Sequence, residues 1–132
     1  MNKVSLHTSL GFQDALQSNY DFYLYKTDAD RIPIIRNEEL VLLYAEVKAQ
    51  IGPASDAVTA INRIRNAAGL PNYAGAITTS SLITEILKQR RYSLYGEVHR
   101  WIDLRRYGLL AQLPIERLGD DVGYSFPIPA NE

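Results

Sequence analysis

The sequence predicts a mainly all-α fold: a tetratricopeptide-like helix hairpin followed by two further helices, with an extended N-terminal arm and an extended, proline-rich C-terminal tail. Three observations lead there. Apolar residues return every three or four positions from 40 to 68 and again from 82 to 94, the period of one helix face. Gly52-Pro53 and Gly69-Leu70-Pro71 cut the first of these runs into two helix-length pieces. Before residue 37 no such period exists, and Phe126-Pro127-Ile128-Pro129-Ala130 excludes helix because its two prolines fix φ and remove donors.

Residues 1–36 form the arm. Within it, Tyr20-Asp21-Phe22-Tyr23-Leu24-Tyr25 alternates, with Tyr20, Phe22 and Leu24 on one side and Tyr23 and Tyr25 on the other, which predicts a strand. Thr27-Asp28-Ala29-Asp30 reads as a turn, and Pro33 keeps the following residues extended. The hairpin occupies 37–69. Its first helix opens with Asn37 as N-cap and with Glu38 and Glu39 against the positive first turn; its apolar residues are Leu40, Leu43, Tyr44, Val47 and Ile51. The second starts near Ser55 and Asp56 and carries Ala57, Val58, Ile61, Ile64 and Ala68. A short link makes the two antiparallel neighbours. Val41, Tyr44, Ala45 and Lys48, then Ala57 and Ile61, reproduce the large and small spacing of a tetratricopeptide unit, with Val41 and Lys48 standing where the repeat carries Trp and Tyr.

A loop from Asn72 ends in a Thr-Thr-Ser-Ser run suited to capping a third helix, which carries Leu82, Ile83, Ile86, Leu87, Arg90 and Leu94. Gly96 interrupts it, and Glu97 to Tyr107 resumes a helical pattern that stops at Gly108, so 81–108 holds two helices. Residues 109–132 are loop and tail.

The chain has 132 residues, 46% of them hydrophobic, with 14 Lys+Arg against 15 Asp+Glu. That length and balance predict a single domain over 1–132 with its own core, and they exclude disorder. A net charge of -1 lacks the cationic excess that phosphate binding needs, so no nucleic-acid partner is expected. With no cysteine there is no disulfide, thiolate nucleophile or Cys-based metal site, and no place for a lipid on this chain. No signal peptide is visible at Met1, and no apolar run approaches the ~20 residues that cross a bilayer.

The densest chemistry lies between Lys88 and Arg106, where six Lys or Arg face two acids. Helical spacing pairs Glu97 with Arg100, Arg100 with Asp103, Asp103 with Arg106, and Trp101 with Arg105, a set of ion pairs and a cation-π contact rather than a phosphate site. Glu97 and Asp103 offer a conceivable glycosidase pair. Six residues apart on a helix they point to different faces, and an adjacent Arg keeps each ionised, the opposite of what a general acid needs. His99 and Asp103 supply at most two metal ligands. No metal or other cofactor is therefore expected, and no catalytic residue. The nine tyrosines are the remaining excess. Tyr20, Tyr23, Tyr25 and Tyr73 lie outside the strong helices and are the candidate ligand-binding residues, since a tyrosine offers an apolar face and a polar tip to a sugar or a protein.

Four blocks resemble one family in their order. Arg36-Asn37-Glu38-Glu39-Leu40-Val41-Leu42-Leu43-Tyr44-Ala45-Glu46, the stretch Ala57 to Pro71, the stretch Arg90 to Gly108, and Phe126-Pro127-Ile128-Pro129 resemble the C-terminal region of the SusD/RagB family. The third is similar to its motif ER-x-x-EL followed by E-G-x-RW-x-DL-x-R-x-G, although Gln89 and Ser93 stand where Glu is usual and Val98 replaces a common Gly. The resemblance implies a C-terminal piece of a longer, lipid-anchored protein at the outer-membrane surface. It implies a non-catalytic component that binds oligo- or polysaccharide and partners a TonB-dependent SusC-like transporter. Arg100, Trp101, Asp103 and Leu104 are then structural, with Trp101 anchoring the core and Arg100 and Asp103 paired, and Asp103→Ala is expected to cost about 3 kcal/mol or more by stranding a partly buried arginine. The alternative is a tetratricopeptide-like module that docks a transporter or another protein and binds no sugar.

Overall fold

The computed structural model describes residues 3–13, 16–115, 119, 121–123 and 125. Its elements are β1 (Val4–Gln13), β2 (Leu16–Phe22), α1 (Asn37–Ile51), α2 (Ala54–Ala67), α3 (Thr79–Ser93) and α4 (His99–Arg106), with one 3-10 turn at Leu110–Gln112. The fold is mainly helical, as the sequence predicts. The chain divides into two compact units, Met1–Lys26 with Trp101–Glu132, and Thr27–Arg100.

In the second unit α1, α2 and α3 pack on one another around Leu42, Ile61, Leu82 and Ile86, which are fully buried. Ala45 and Ala49 of α1 and Ala57 and Ala60 of α2 are buried too, and side chains this small let the two helices approach closely. Gly52 and Pro53 alone link α1 to α2, and the Gly52 N–H closes α1 on the Lys48 carbonyl at 3.2 Å. α1 begins one residue earlier than expected. Asn37 is already helical and Arg36 is the capping residue, extended at φ −111° and without a side-chain cap, because a guanidinium has no acceptor for the first-turn N–H groups; it donates to Glu38 and Glu97 instead.

α2 ends in paired bonds, Gly69 N–H to Asn66 and Leu70 N–H to Arg65, at 3.0 and 2.9 Å. This closure requires the left-handed φ of 73° at Gly69. α4 ends the same way at Gly108, φ 67°, with the Leu109 N–H on the Leu104 carbonyl. α3 starts two residues before the expected Ser81, where the Thr78 hydroxyl accepts from the Ser81 N–H at 3.3 Å. All six of its expected face residues, from Leu82 to Leu94, are buried.

α1 departs from expectation in which face it buries. Leu42, Ala45, Glu46 and Ala49 face the core, whereas Leu40, Leu43, Tyr44, Val47 and Ile51, the larger apolar set, are exposed. Only the small-residue face fits against α2 and α3, so packing geometry overrides side-chain size.

Two side-chain links hold the helices at their ends. Arg36 donates to Glu97, 61 positions away, at 2.7 Å, and both are largely buried. Arg65 of α2 pairs with Glu85 of α3 and donates to the Pro71 carbonyl at 2.8 Å, while Gln89 donates to Glu85 at 2.8 Å. Among the described residues no buried side-chain nitrogen or oxygen lacks a hydrogen-bond partner.

In the first unit the expected arm is an antiparallel hairpin. β1 pairs with β2 in the register Val4 to Phe22 and Leu6 to Tyr20, and an irregularity between Leu6 and Gly11 resets it to Gly11 with Ser18. The strand expected over Tyr20–Tyr25 stops at Phe22. Val4, Leu6, Tyr20 and Phe22 share one exposed face, and the 3.6 Å contact of His7 with Asp21 lies on the other. Leu24, Asp103, Leu104 and Leu110 are the buried side chains of this unit among the described residues. The expected tail, Phe126–Ala130, lies outside the described residues.

Leu42→Ala should cost about 3 kcal/mol in a urea titration followed by circular dichroism, whereas Val47→Ala on the opposite face should stay within about 0.5 kcal/mol. Equal losses would show that α1 is rotated from the placement described.

Candidate functional site

A groove of about 740 Å³ runs between α1 and α2. Leu40, Val41 and Tyr44 of α1 make its apolar wall. The opposite wall is polar because α2 carries Asp56, Thr59, Asn62, Arg63 and Asn66 at helical spacing beside the groove, joined by Asn72 from the loop beyond. An apolar wall facing convergent amides, a hydroxyl and charges, in a volume of this order, is the usual make-up of a small-ligand cleft.

The polar wall is held from behind. Asn62 accepts the Tyr73 N–H on Oδ1 at 2.7 Å, which fixes the amide and leaves its NH₂ as donor, and Thr59 donates to the Ser55 carbonyl at 2.9 Å, which leaves its oxygen as acceptor. At one end Lys48 lies 3.0 Å from Asp56 and 5.4 Å over the Tyr44 ring. The hydrogen bond to Asp56, and then the Tyr44 charge, raise the Lys48 pKa above the ordinary lysine value. The stabilisation that follows is complete below that ordinary value and lost only as pH rises through the raised one. Arg36 is shifted upward too, by its bonds to Glu38 and Glu97 against partial burial.

The four candidate tyrosines do not form one site. Tyr20, Tyr23 and Tyr25 are exposed in the first unit, Tyr20 within β2 and Tyr23 under the Lys26 ammonium at 5.0 Å. Tyr73 belongs to the second unit and is committed locally. Its hydroxyl donates to the Ala76 carbonyl at 2.9 Å and its ring lies so close to Gly75 that a Cβ there would meet the ring carbon Cζ at 2.6 Å. Tyr44, the aromatic residue of the groove, was hidden in the sequence by its place in an apolar helix pattern that reads as core. Asn62 and Asn66 share a face of α2 by their spacing, but Asn72 joins them only once α2 closes on its following loop.

In the Arg100–Leu104 motif, Asp103 and Leu104 are buried and Trp101 is half-buried, so Leu104 rather than Trp101 takes the core position. The Trp101 indole N–H donates to the Gly123 carbonyl at 3.1 Å, and the Arg105 guanidinium lies 5.2 Å over its ring. Asp103 accepts from Arg106 at 3.1 Å, and Glu97 is held by Arg36. His99 sits 3.9 Å from Glu39, and the described residues hold no group of three or more side chains able to bind a metal. Val98 adopts φ 65°, a left-handed conformation that costs a β-branched residue but not glycine.

Comparison with known proteins places these features. The SusD family model matches residues 12–131, and the chain belongs to the SusD family. It is similar to a SusD-like protein of Formosa agariphila, with 33% identity over 104 residues, covering 71% of this chain and 21% of that protein. It is also similar to the crystal structure of a SusD superfamily protein from Bacteroides vulgatus, with 36% identity and a TM-score of 0.57, over 59% of this chain and 17% of the other. The chain thus spans about a fifth of the length of these relatives.

Two variants test the local physics. Val98→Gly should raise stability by about 1 kcal/mol, since relief of the left-handed strain exceeds the entropy glycine adds to the unfolded chain; a lower melting temperature would contradict the strain. Asp103→Ala should cost about 1–3 kcal/mol, because it removes a buried, hydrogen-bonded carboxylate, while Arg106, which donates to it, is 43% exposed and can be solvated. A loss well above that range would mean that a buried arginine had been stranded.

Proposed function

We propose that the chain is part of a non-catalytic component that captures glycans or related nutrients for a TonB-dependent transporter of SusC type at the outer-membrane surface. The observation that carries this reading is the SusD family match across residues 12–131, which takes in the Arg100-Trp101-Ile102-Asp103-Leu104 motif. Such a component would be held by a lipid; this chain carries no cysteine to bear one, and no described helix is long and apolar enough to cross a membrane. The four tyrosines of the sequence reading remain candidates, and the groove between α1 and α2 is the better one. Sugar hydroxyls both donate and accept, which suits a wall of amides, and the C–H face of a sugar ring suits Tyr44. Glu97 and Asp103, each paired with an arginine, support no hydrolytic role.

The alternative, a tetratricopeptide-like module that docks a protein and binds no sugar, draws support from the exposed apolar residues of α1. Calorimetric titration of the chain with a panel of soluble plant, fungal and host polysaccharides separates the two. Saturable binding is expected, weakened about tenfold, or 1.4 kcal/mol, by Tyr44→Ala and left unchanged by Tyr23→Ala. Silence across the panel would put recognition outside these residues and favour the docking module.

A further inference from the structure

The groove between α1 and α2 is not electrically uniform along its length. At one end the Asp56 carboxylate is balanced by Lys48 at 3.0 Å. Two turns further along α2, Arg63 lines the same groove and is exposed, and among the described residues its guanidinium has no ion pair, hydrogen bond or ring contact. The acids of the two helices are committed elsewhere: Glu38 to Arg36, Glu39 beside His99, Asp56 to Lys48, while Glu46 is buried on the core face of α1. Seven residues of helix, about 10 Å, separate Arg63 from Asp56, which is about one Debye length at ordinary salt. The groove therefore carries an uncompensated positive charge at the Arg63 end.

Its hydrogen-bonding atoms divide in the same way. Asp56 and Thr59 offer acceptors, since the Thr59 hydroxyl has given its proton to the Ser55 carbonyl. Asn62 has its Oδ1 occupied by the Tyr73 N–H and offers only its NH₂, and Arg63 next to it offers only N–H groups. Acceptors at one end, with donors and a cation at the other, match a ligand that has hydroxyls along its length and an anion at one place. Building on the glycan reading of this groove, we propose that its ligand is an acidic saccharide. The carboxylate or sulfate of the sugar sits on Arg63 and Asn62, its hydroxyls reach toward Thr59 and Asp56, and its C–H face lies on Tyr44. A planar guanidinium matches the oxygens of such an anion in pairs, and bonds of this charge-assisted kind are about twice as strong as those a neutral hydroxyl would make there.

Calorimetric titration of the chain with matched pairs of soluble oligosaccharides tests the proposal. One pair is an oligogalacturonide and its methyl ester, the other a sulfated galactan oligomer and its desulfated form. The charged member of at least one pair is expected to bind about tenfold more tightly at low salt, with the difference shrinking as salt rises. A preference confined to the first pair identifies a carboxylate, and one confined to the second a sulfate. Arg63→Gln should remove the preference, Arg63→Lys should keep part of it because it keeps the charge, and Arg91→Gln, at an exposed arginine of α3 outside the groove, should leave it intact. Equal affinity for both members of each pair would overturn the acidic ligand and leave the glycan reading standing, whereas silence toward charged and neutral sugars alike would overturn both. A preference that survives Arg63→Gln, or that Arg91→Gln reduces equally, would overturn the assignment to Arg63.

Discussion

Four alanines decide how this chain packs. Ala45 and Ala49 on α1 and Ala57 and Ala60 on α2 are buried, and their lack of bulk brings the helices near enough for Leu42, Ile61, Leu82 and Ile86 to fill one centre. Everything else about the second unit follows from that approach. With the small face turned inward, the large apolar residues of α1 must turn outward. The groove opens beside them, floored by Ala60 and walled by Tyr44 on one side and the α2 amides on the other.

The polar side chains finish what the alanines begin. Arg65 reaches from α2 to Glu85 of α3 and to the Pro71 carbonyl, so one guanidinium fixes a helix pair and the start of the loop that carries Asn72 to the groove. Gln89 shares the same carboxylate, which spreads the demand on Glu85 over two donors. Broken singly, such largely buried pairs leave a charge without a partner, and that is where their structural weight lies.

Much of this was legible in the sequence, and the failures have physical causes. The buried face of α3 was readable, though not its first turn, because its apolar positions serve a single face. α1 was not, because it has two apolar faces, and periodicity favours the larger side chains while close packing favours the smaller. β1 went unread although Val4, Leu6, Leu10 and Phe12 alternate, because its irregular register between Leu6 and Gly11 becomes apparent only against its partner strand. Val98 was legible as a departure from the family motif, but its meaning needed the backbone angle, which shows that glycine at that place answers a steric demand. The groove was least legible of all, since spacing along one chain does not tell which amides meet across a loop.

The contact between Arg36 and Glu97 bears on the order in which the chain assembles. α1 and α2 are joined by two residues, so their contacts close short loops and form early, whereas residues 36 and 97 enclose all three helices between them. Closing so long a loop in an open chain carries an entropic cost that one ion pair does not repay. Once α3 has docked, the same two side chains are neighbours already, and the bond forms as a latch on a finished bundle rather than as a step in building it.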